Sequence, residues 1–349
     1  MNFQKILINW YSIHKRDLPW RQTNDPYYIW LSEIMLQQTQ VKQGLPYYER
    51  FVNLYPTIFD LANAKEEEVL KNWQGLGYYS RARNLHFTAK YVANELGGVF
   101  PDNYKQLVSL KGIGDYTASA IASIAFNEVK AVLDGNVFRV LSRYFGISEP
   151  INSTIGQSRF KELSQSLVVN HNPGNYNQAL MEFGALQCKP TNPDCSICPL
   201  ARSCKALKEN AVSQLPIKLK KNKVQKKYFN YLVVLDPVGN TSLEKRTSKG
   251  IWQNLYQFPL VETPHAIDIN DYQILLEKRS FVASTVVDIH LFNEKDIVHK
   301  LSHRHLYTKF WIVTLNDQIM NGIPLNELDK YPVPVLIANF INEFKTKSL

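Results

Sequence analysis

Four cysteines stand in one short stretch, Cys188-x6-Cys195-x2-Cys198-x5-Cys204, and the 349-residue chain has no others. Nothing is left over for a disulfide or a free nucleophilic thiol. Four thiolates this close in sequence can hold a [4Fe–4S] cluster. The alternative, zinc, usually takes its ligands as two short knuckles. Here only the middle pair is a C-x-x-C, flanked by two longer arms, so the spacing favours one [4Fe–4S] cluster. Thiolates kept for metal, without disulfide partners, fit a reducing cytoplasm.

Bulk properties bound the answer without deciding it. A chain of this length suggests two domains, and 45% hydrophobic residues supply packed cores. A formal charge of +9 and a pI near 9.1 favour a polyanionic partner. The opening MNFQKILINWYSIHKRDLPW intersperses apolar with polar residues and shows no small-residue cleavage site, so it does not read as a signal peptide. No apolar run reaches membrane-spanning length. The expected setting is the cytoplasm.

The pattern changes once along the chain. Residues 1–213 read as helical. Asp25-Pro26 opens one helix, with proline in the first turn where it is tolerated. Further helices are expected over Asp60–Asn72, Ser80–Leu96, Tyr116–Phe126, Asn136–Phe145, Ser158–Val169 and Tyr176–Leu186, with no strand among them. Residues 214–227 include a lysine-rich run, Lys218 to Lys227, that reads as a solvated linker compatible with DNA phosphates. Beyond it, Tyr228–Leu235, Ser280–Ile289 and Phe310–Leu315 are rich in β-branched and aromatic residues, as strands are. Residues 228–349 are therefore expected to form a separate α+β domain.

The helical part carries residues suited to chemistry. In Leu110-Lys111-Gly112-Ile113-Gly114-Asp115, two glycines let the backbone turn tightly between helices. They leave N–H groups open at the next helix start, where a phosphate can dock. Such a hairpin holds a DNA backbone without reading sequence; an ordinary helix–helix turn is the plain alternative. Glu33 has Ile29, Trp30, Leu36 and Gln37 as helical neighbours. A carboxylate in that company is costly to ionise, so its pKa should rise, as a general acid requires. Asp134, in Leu133-Asp134-Gly135-Asn136-Val137, reads either as a helix N-cap or as a second carboxylate in the chemistry.

In that order, the hairpin, the aspartate and the four-cysteine loop resemble the endonuclease III superfamily of DNA glycosylases. Within it the chain is most similar to the adenine glycosylase branch, usually called MutY. The resemblance runs through Trp30–Val41 (WLSEIMLQQTQV), Gly75–Leu85 (GLGYYSRARNL) and Leu133–Val137. It implies a helix-hairpin-helix fold with an iron–sulfur loop, double-stranded DNA as partner, a monomer, and a nucleoid-associated bacterial enzyme. It also implies roles. Glu33 protonates adenine at N7, and Asp134 stabilises the cation-like sugar or forms a transient adduct with it. Asn136 and Tyr116 orient these groups and the water. The logic parallels the paired carboxylates of glycosidases. In the strand-cleaving branch a lysine stands two residues past the second hairpin glycine and forms a Schiff base; here that residue is Tyr116, which implies a monofunctional glycosylase. Gln38, Thr39 and Tyr78 are implied wedge and gap-filling residues, as base extraction requires, and Gly112 and Gly114 grip the backbone. Arg16, Trp20 and Arg21 match the segment near the adenine pocket. Lys189, Arg202 and Lys205 of the cysteine loop are placed to meet phosphates.

The second part, with Gly250-Ile251-Trp252-x-x-Leu255-x-x-Phe258-Pro259, resembles the family's Nudix-like C-terminal domain, but lacks the clustered carboxylates of the hydrolase box. Binding without hydrolysis is implied. The family's Phe-Ser-His turn, which contacts 8-oxoguanine opposite the adenine, corresponds to Leu301-Ser302-His303. Ser302 and His303 keep their hydrogen-bonding groups, while Leu301 removes an aromatic stack. His303 also belongs to a histidine-rich turn with His299 and His305. The implied activity is excision of adenine mispaired with 8-oxoguanine or guanine. The alternatives are an oxidised-pyrimidine glycosylase with lyase activity, opposed by Tyr116, and a catalytically silent DNA-binding module, opposed by Glu33 with Asp134.

Overall fold

The computed structural model describes residues 3–219, 224–279 and 286–348. They form two compact units: Met1–Asn63 with Asn84–Lys220, and Ala64–Arg83 with Lys221–Leu349. The second unit thus takes in a segment from within the first 213 residues, which the sequence pattern alone groups with the helical part.

The first unit is helical, and no strand occurs among its described residues. In chain order its helices are α1 (Phe3–His14), α2 (Pro26–Leu36), α3 (Val41–Leu54) and α4 (Ile58–Asn63). The expected helix Asp60–Asn72 is not continuous. It breaks at Ala64-Lys65, where the Lys65 N–H donates to the Glu68 carboxylate at 3.4 Å and α5 (Glu66–Asn72) starts, which falls in the second unit. Then follow α6 (Ser80–Glu95), α7 (Tyr104–Leu107), α8 (Asp115–Ala125), α9 (Gly135–Phe145), α10 (Thr154–Leu167), α11 (Pro173–Leu186) and the short α12 (Lys205–Lys208). Asp25 caps α2 by accepting from the Tyr27 N–H at 2.8 Å. Residues 29 to 35 of α2 are all buried, so this helix is enclosed on every side rather than amphipathic. Helices α1, α9 and α11 pack around a core that includes Leu7, Val137, Leu141, Tyr176 and Phe183.

Two glycines set close approaches here. Gly112 has φ +83°, and a Cβ there would stand 2.7 Å from the Cβ of Asn84. Gly184 lets α11 lie against α9: a Cβ there would stand 2.7 Å from the Cβ of Asn136.

The second unit is built on a five-stranded sheet. Its strands are β1 (Gln225–Leu235), β5 (Leu260–Thr263), β6 (Val286–Leu291), β7 (Ile297–Lys300) and β8 (Arg304–Leu315), after the short β2 (Asn240–Thr241), β3 (Glu244–Lys245) and β4 (Tyr256–Gln257). The order is β5-β1-β8-β6, with β7 also on β8. β1 and β8 run parallel, from Gln225 beside Arg304 to Leu235 beside Thr314. Of the expected strand Ser280–Ile289, residues 280–285 lie outside the described residues, and β6 begins at Val286. One sheet face carries Leu232, Val234, Trp311 and Val313 against Leu275 and Leu276 of α13 (Gln273–Lys278). The other carries Phe310, stacked at 3.9 Å on Phe340 of α14 (Val335–Ser348).

Segment 64–83 is held in this unit by specific bonds. Glu67 accepts from Lys245 Nζ at 2.7 Å and from the Tyr256 hydroxyl at 2.9 Å. Glu66 accepts from the Asn254 amide at 2.6 Å, and Arg83 donates to the Gln253 carbonyl at 2.8 Å.

Candidate active site

Within the first unit a cavity of about 170 Å³ opens between α2, α8, α9 and α11. Glu33, Asp134, Tyr116, Asn136, Arg16, Arg21, Trp20 and Thr39 all line it. Residues far apart in the chain therefore meet at one place.

Glu33 is 8% exposed. Burial pushes its carboxyl up to about 7; a hydrogen bond from the Tyr116 hydroxyl opposes the rise, and the Asp134 charge adds to it. Burial likewise raises Tyr116, whose hydroxyl also lies 3.2 Å from Met181 Sδ. Asp134 is the N-cap of α9: its Oδ1 accepts from the N–H groups of Asn136 and Val137 at 2.9 and 2.7 Å, and its Oδ2 from the Asn136 amide at 2.8 Å. Burial raises the Asp134 carboxyl, and these donors work against that rise. The side chain of Asn136 is itself oriented, because its Oδ1 accepts from Arg139 Nη2 at 2.8 Å. Its amide N–H groups must then face Asp134.

Arg16 and Arg21 are not free cations. Both clamp Glu182 of α11, a residue that the sequence pattern does not single out. Arg16 reaches its two carboxylate oxygens at 2.9 and 2.6 Å, and Arg21 at 2.9 and 2.8 Å. The backbone N–H of Arg16 adds a further bond at 2.9 Å. Although burial alone would raise it, these bonds hold the Glu182 carboxyl down to about 2. Glu182 lines the same cavity. The only sequence signal was a glutamate on a helix of buried residues, and its partners lie more than 150 positions away.

The hairpin runs from α7 to α8. Gly114 is the N-cap of α8 and offers no side chain to the first-turn N–H groups. Gln38 is exposed with φ +55°. Tyr78, with φ +48° and 49% exposed, falls in the second unit. There its hydroxyl meets Ser302 Oγ at 2.9 Å. Ser302 and His303 are exposed in the turn between β7 and β8, closed by the Leu301 N–H bonding to the Arg304 carbonyl at 2.8 Å.

All four cysteines line one small cavity of about 30 Å³ together with Arg143. Arg143 is buried and donates to the carbonyls of Lys189, Pro190 and Leu215 at 2.7, 3.0 and 3.0 Å. Arg139 donates to the Cys188 carbonyl at 2.7 Å. Burial pushes the Cys198 thiol up to about 11 and raises Cys195 and Cys204. Among the described residues, no three His, Cys, Asp or Glu side chains converge tightly enough for a single ion. Lys189, Arg202 and Lys205 are exposed on this loop.

Residues 31–165 match the model of the HhH-GPD superfamily of base excision DNA repair proteins, and residues 230–343 match that of the NUDIX domain. An adenine DNA glycosylase of Buchnera aphidicola is 38% identical over 89% of this chain and 86% of its own length. The chain belongs to the adenine DNA glycosylase family. A second member, from Mus musculus, is 35% identical over 92% of this chain and 72% of its own. A solved structure of a thermostable thymine-DNA glycosylase is 32% identical with a TM-score of 0.55, covering 59% of this chain and 95% of that one. The family match also covers the mixed-sheet unit, which is Nudix-like. No described helix is long and apolar enough to cross a membrane.

Proposed function

We propose that the protein excises adenine from double-stranded DNA where adenine faces 8-oxoguanine or guanine. The supporting observation is the pairing of a carboxyl raised to about 7 with a hydrogen-bonded one on the same cavity. Adenine is a poor leaving group, and its sugar becomes cation-like as the bond breaks. Glu33, protonated near neutral pH, donates a proton to the departing base. Asp134, held by three donors, presents negative charge to the sugar. The arrangement separates acid and anion by environment. Tyr116 and Asn136 orient the two carboxyl groups. Glu182 and its two arginines form a fixed, charge-paired part of the wall where a flipped base would sit.

Tyr116 has no amine, so no Schiff base forms through it, and the reading is a monofunctional glycosylase. The test is a glycosylase assay on duplexes carrying adenine opposite 8-oxoguanine, with and without alkali. Strand breaks are expected only after alkali. Breaks of equal yield without it would favour a lyase instead.

Cys188, Cys195, Cys198 and Cys204 are proposed to hold one [4Fe–4S] cluster. All four thiols line one cavity, a soft donor set that suits such a cluster. When bound, it supplies a structural cross-link of the loop carrying Lys189, Arg202 and Lys205, which face solvent where phosphates can be met. Ser302 and His303 are proposed to read the opposite base. Gln38, Thr39 and Tyr78 serve as wedge residues, and Gly112 and Gly114 hold the backbone. The chain is proposed to work as a monomer in the bacterial cytoplasm, associated with the nucleoid.

A further inference from the structure

The sheet of the second unit has one face that is only partly covered. Along β1 and β8 the register pairs Lys226 with His305 and Tyr228 with Tyr307. Across β8 and β7 it pairs His305 with Lys300 and Tyr307 with Val298. Because side chains alternate along a strand, these residues share one face. They make two successive rows: Lys226, His305, Lys300, and then Tyr228, Tyr307, Val298. Farther along, the same face is closed over, first by Lys309 bonding to the Ile267 carbonyl at 2.6 Å and then by Leu275 and Leu276. The first two rows are left open. Lys226 and Lys300 are exposed, and Val298 is 42% exposed. Tyr228 and Tyr307 stack at 5.3 Å, and the Lys226 ammonium lies 5.6 Å from the Tyr307 ring centre.

A basic row beside an aromatic row is what a nucleic-acid strand needs: cations for phosphates and flat rings for bases or sugars. Three adjacent strands put the basic row across about 10 Å. One strand of duplex DNA advances about 3.4 Å of axis per nucleotide, so the row spans about three nucleotides. Lys300 and His305 each lie two residues from the Ser302-His303 turn, on opposite sides of it.

We propose that this open sheet end binds the phosphate chain of the DNA strand carrying the base opposite the adenine, over the nucleotides flanking that base. The inference rests on the reading of Ser302 and His303 as the opposite-base contact. It gives the second unit a backbone-holding surface of its own, separate from the turn.

The test uses the full-length protein and a duplex with adenine opposite 8-oxoguanine. A Lys226→Ala/Lys300→Ala variant removes two exposed side chains, so folding should persist. The slope of log affinity against log salt should become shallower by about 1.8, since each phosphate contact contributes about 0.9. Lys345→Ala/Lys347→Ala removes the same charge from α14, on the other sheet face, and should leave the slope unchanged. A benzophenone amino acid at position 307 should crosslink to the strand carrying 8-oxoguanine, with each strand labelled in turn. An unchanged slope in the first variant, an equal change in the control, or a crosslink absent or confined to the adenine strand would overturn the proposal. Retained excision with an unchanged slope removes this surface alone. Wild-type protein inert on the duplex removes the excision reading, while slope and crosslink still report on the face.

Discussion

Glu33 holds its proton to about pH 7 because its surroundings exclude water. Two measurements follow from that one residue. Acting as the acid, Glu33 should give a single-turnover excision rate that falls about tenfold per unit above pH 7, since each unit removes nine-tenths of the protonated form, with a second fall on the acid side where Asp134 takes up a proton. Glu33→Gln should keep DNA binding and lose about 10²–10⁴-fold in rate; near-normal excision would remove Glu33 from the mechanism. The same shift is a statement about stability. The folded value lies above the usual 4.5, so the favourable share is fully present below pH 4.5 and is lost as pH rises through 7. Glu33→Gln should therefore stabilise the protein relative to wild type at pH 8 by up to about 3 kcal/mol more than at pH 4. Thermal melts at the two pH values check this, and a pH-independent difference would contradict it. Glu182 behaves oppositely. Its carboxyl is held near 2 and stays charged over the working range. Arg21→Ala should cost about 1.5–3 kcal/mol, because it strips charge-assisted hydrogen bonds from a buried anion that Arg16 still holds.

At the scale of elements, α9 ties chemistry to the backbone, since the carboxylate proposed to face the sugar is also the helix cap. Asp134→Ala should lose about 0.5–2 kcal/mol of stability along with activity. Asp134→Ser, which can still cap, should regain stability but not activity; melts and single-turnover rates on both variants separate the roles. Segment 64–83 gives a second expectation. A chain ending at residue 213 leaves Glu66, Glu67 and Arg83 without Asn254, Lys245, Tyr256 and the Gln253 carbonyl. Amide exchange across residues 64–83 should be faster in that fragment than in the full chain, and equal protection would show that the segment stands alone. Much of the helical pattern is legible in the sequence. Asp25-Pro26 marks the start of α2, and Asp134-Gly135 that of α9. What is not legible has a physical reason in each case. Gly44 and Pro46 speak against a helix at α3, yet Gly44 lies close beneath Leu36, where a Cβ would stand 2.9 Å from the Leu36 Cδ2 methyl. The start of α1 has no acidic first turn to announce it. Glu182 reads as any helical glutamate until the fold brings Arg16 and Arg21 to it.

For the whole molecule, cofactor and specificity can be measured separately. Protein prepared without air should contain iron, about four per chain, and be yellow-brown; one zinc per chain would overturn the cluster. Replacing Ser302 and His303 by Ala should slow excision opposite 8-oxoguanine more than opposite guanine, since each lost hydrogen bond is worth about 0.5–1.5 kcal/mol. The ratio of single-turnover rates cancels general losses of affinity, and an equal loss on both duplexes would leave the second unit only a clamp. The Tyr78 hydroxyl bonded to Ser302 predicts that Tyr78→Phe and Ser302→Ala act on one contact, so their effects should combine less than additively.

That segment 64–83 packs with residues between 245 and 333 has a consequence for synthesis. The ribosome completes the segment early and must add about 250 residues before Val333 exists, a wait of roughly 12–50 s at about 5–20 residues per second. Through that interval the nascent chain carries a helix whose partners have not been made. A protease pulse on stalled nascent chains should cut within 64–83 until the last of those partners has emerged.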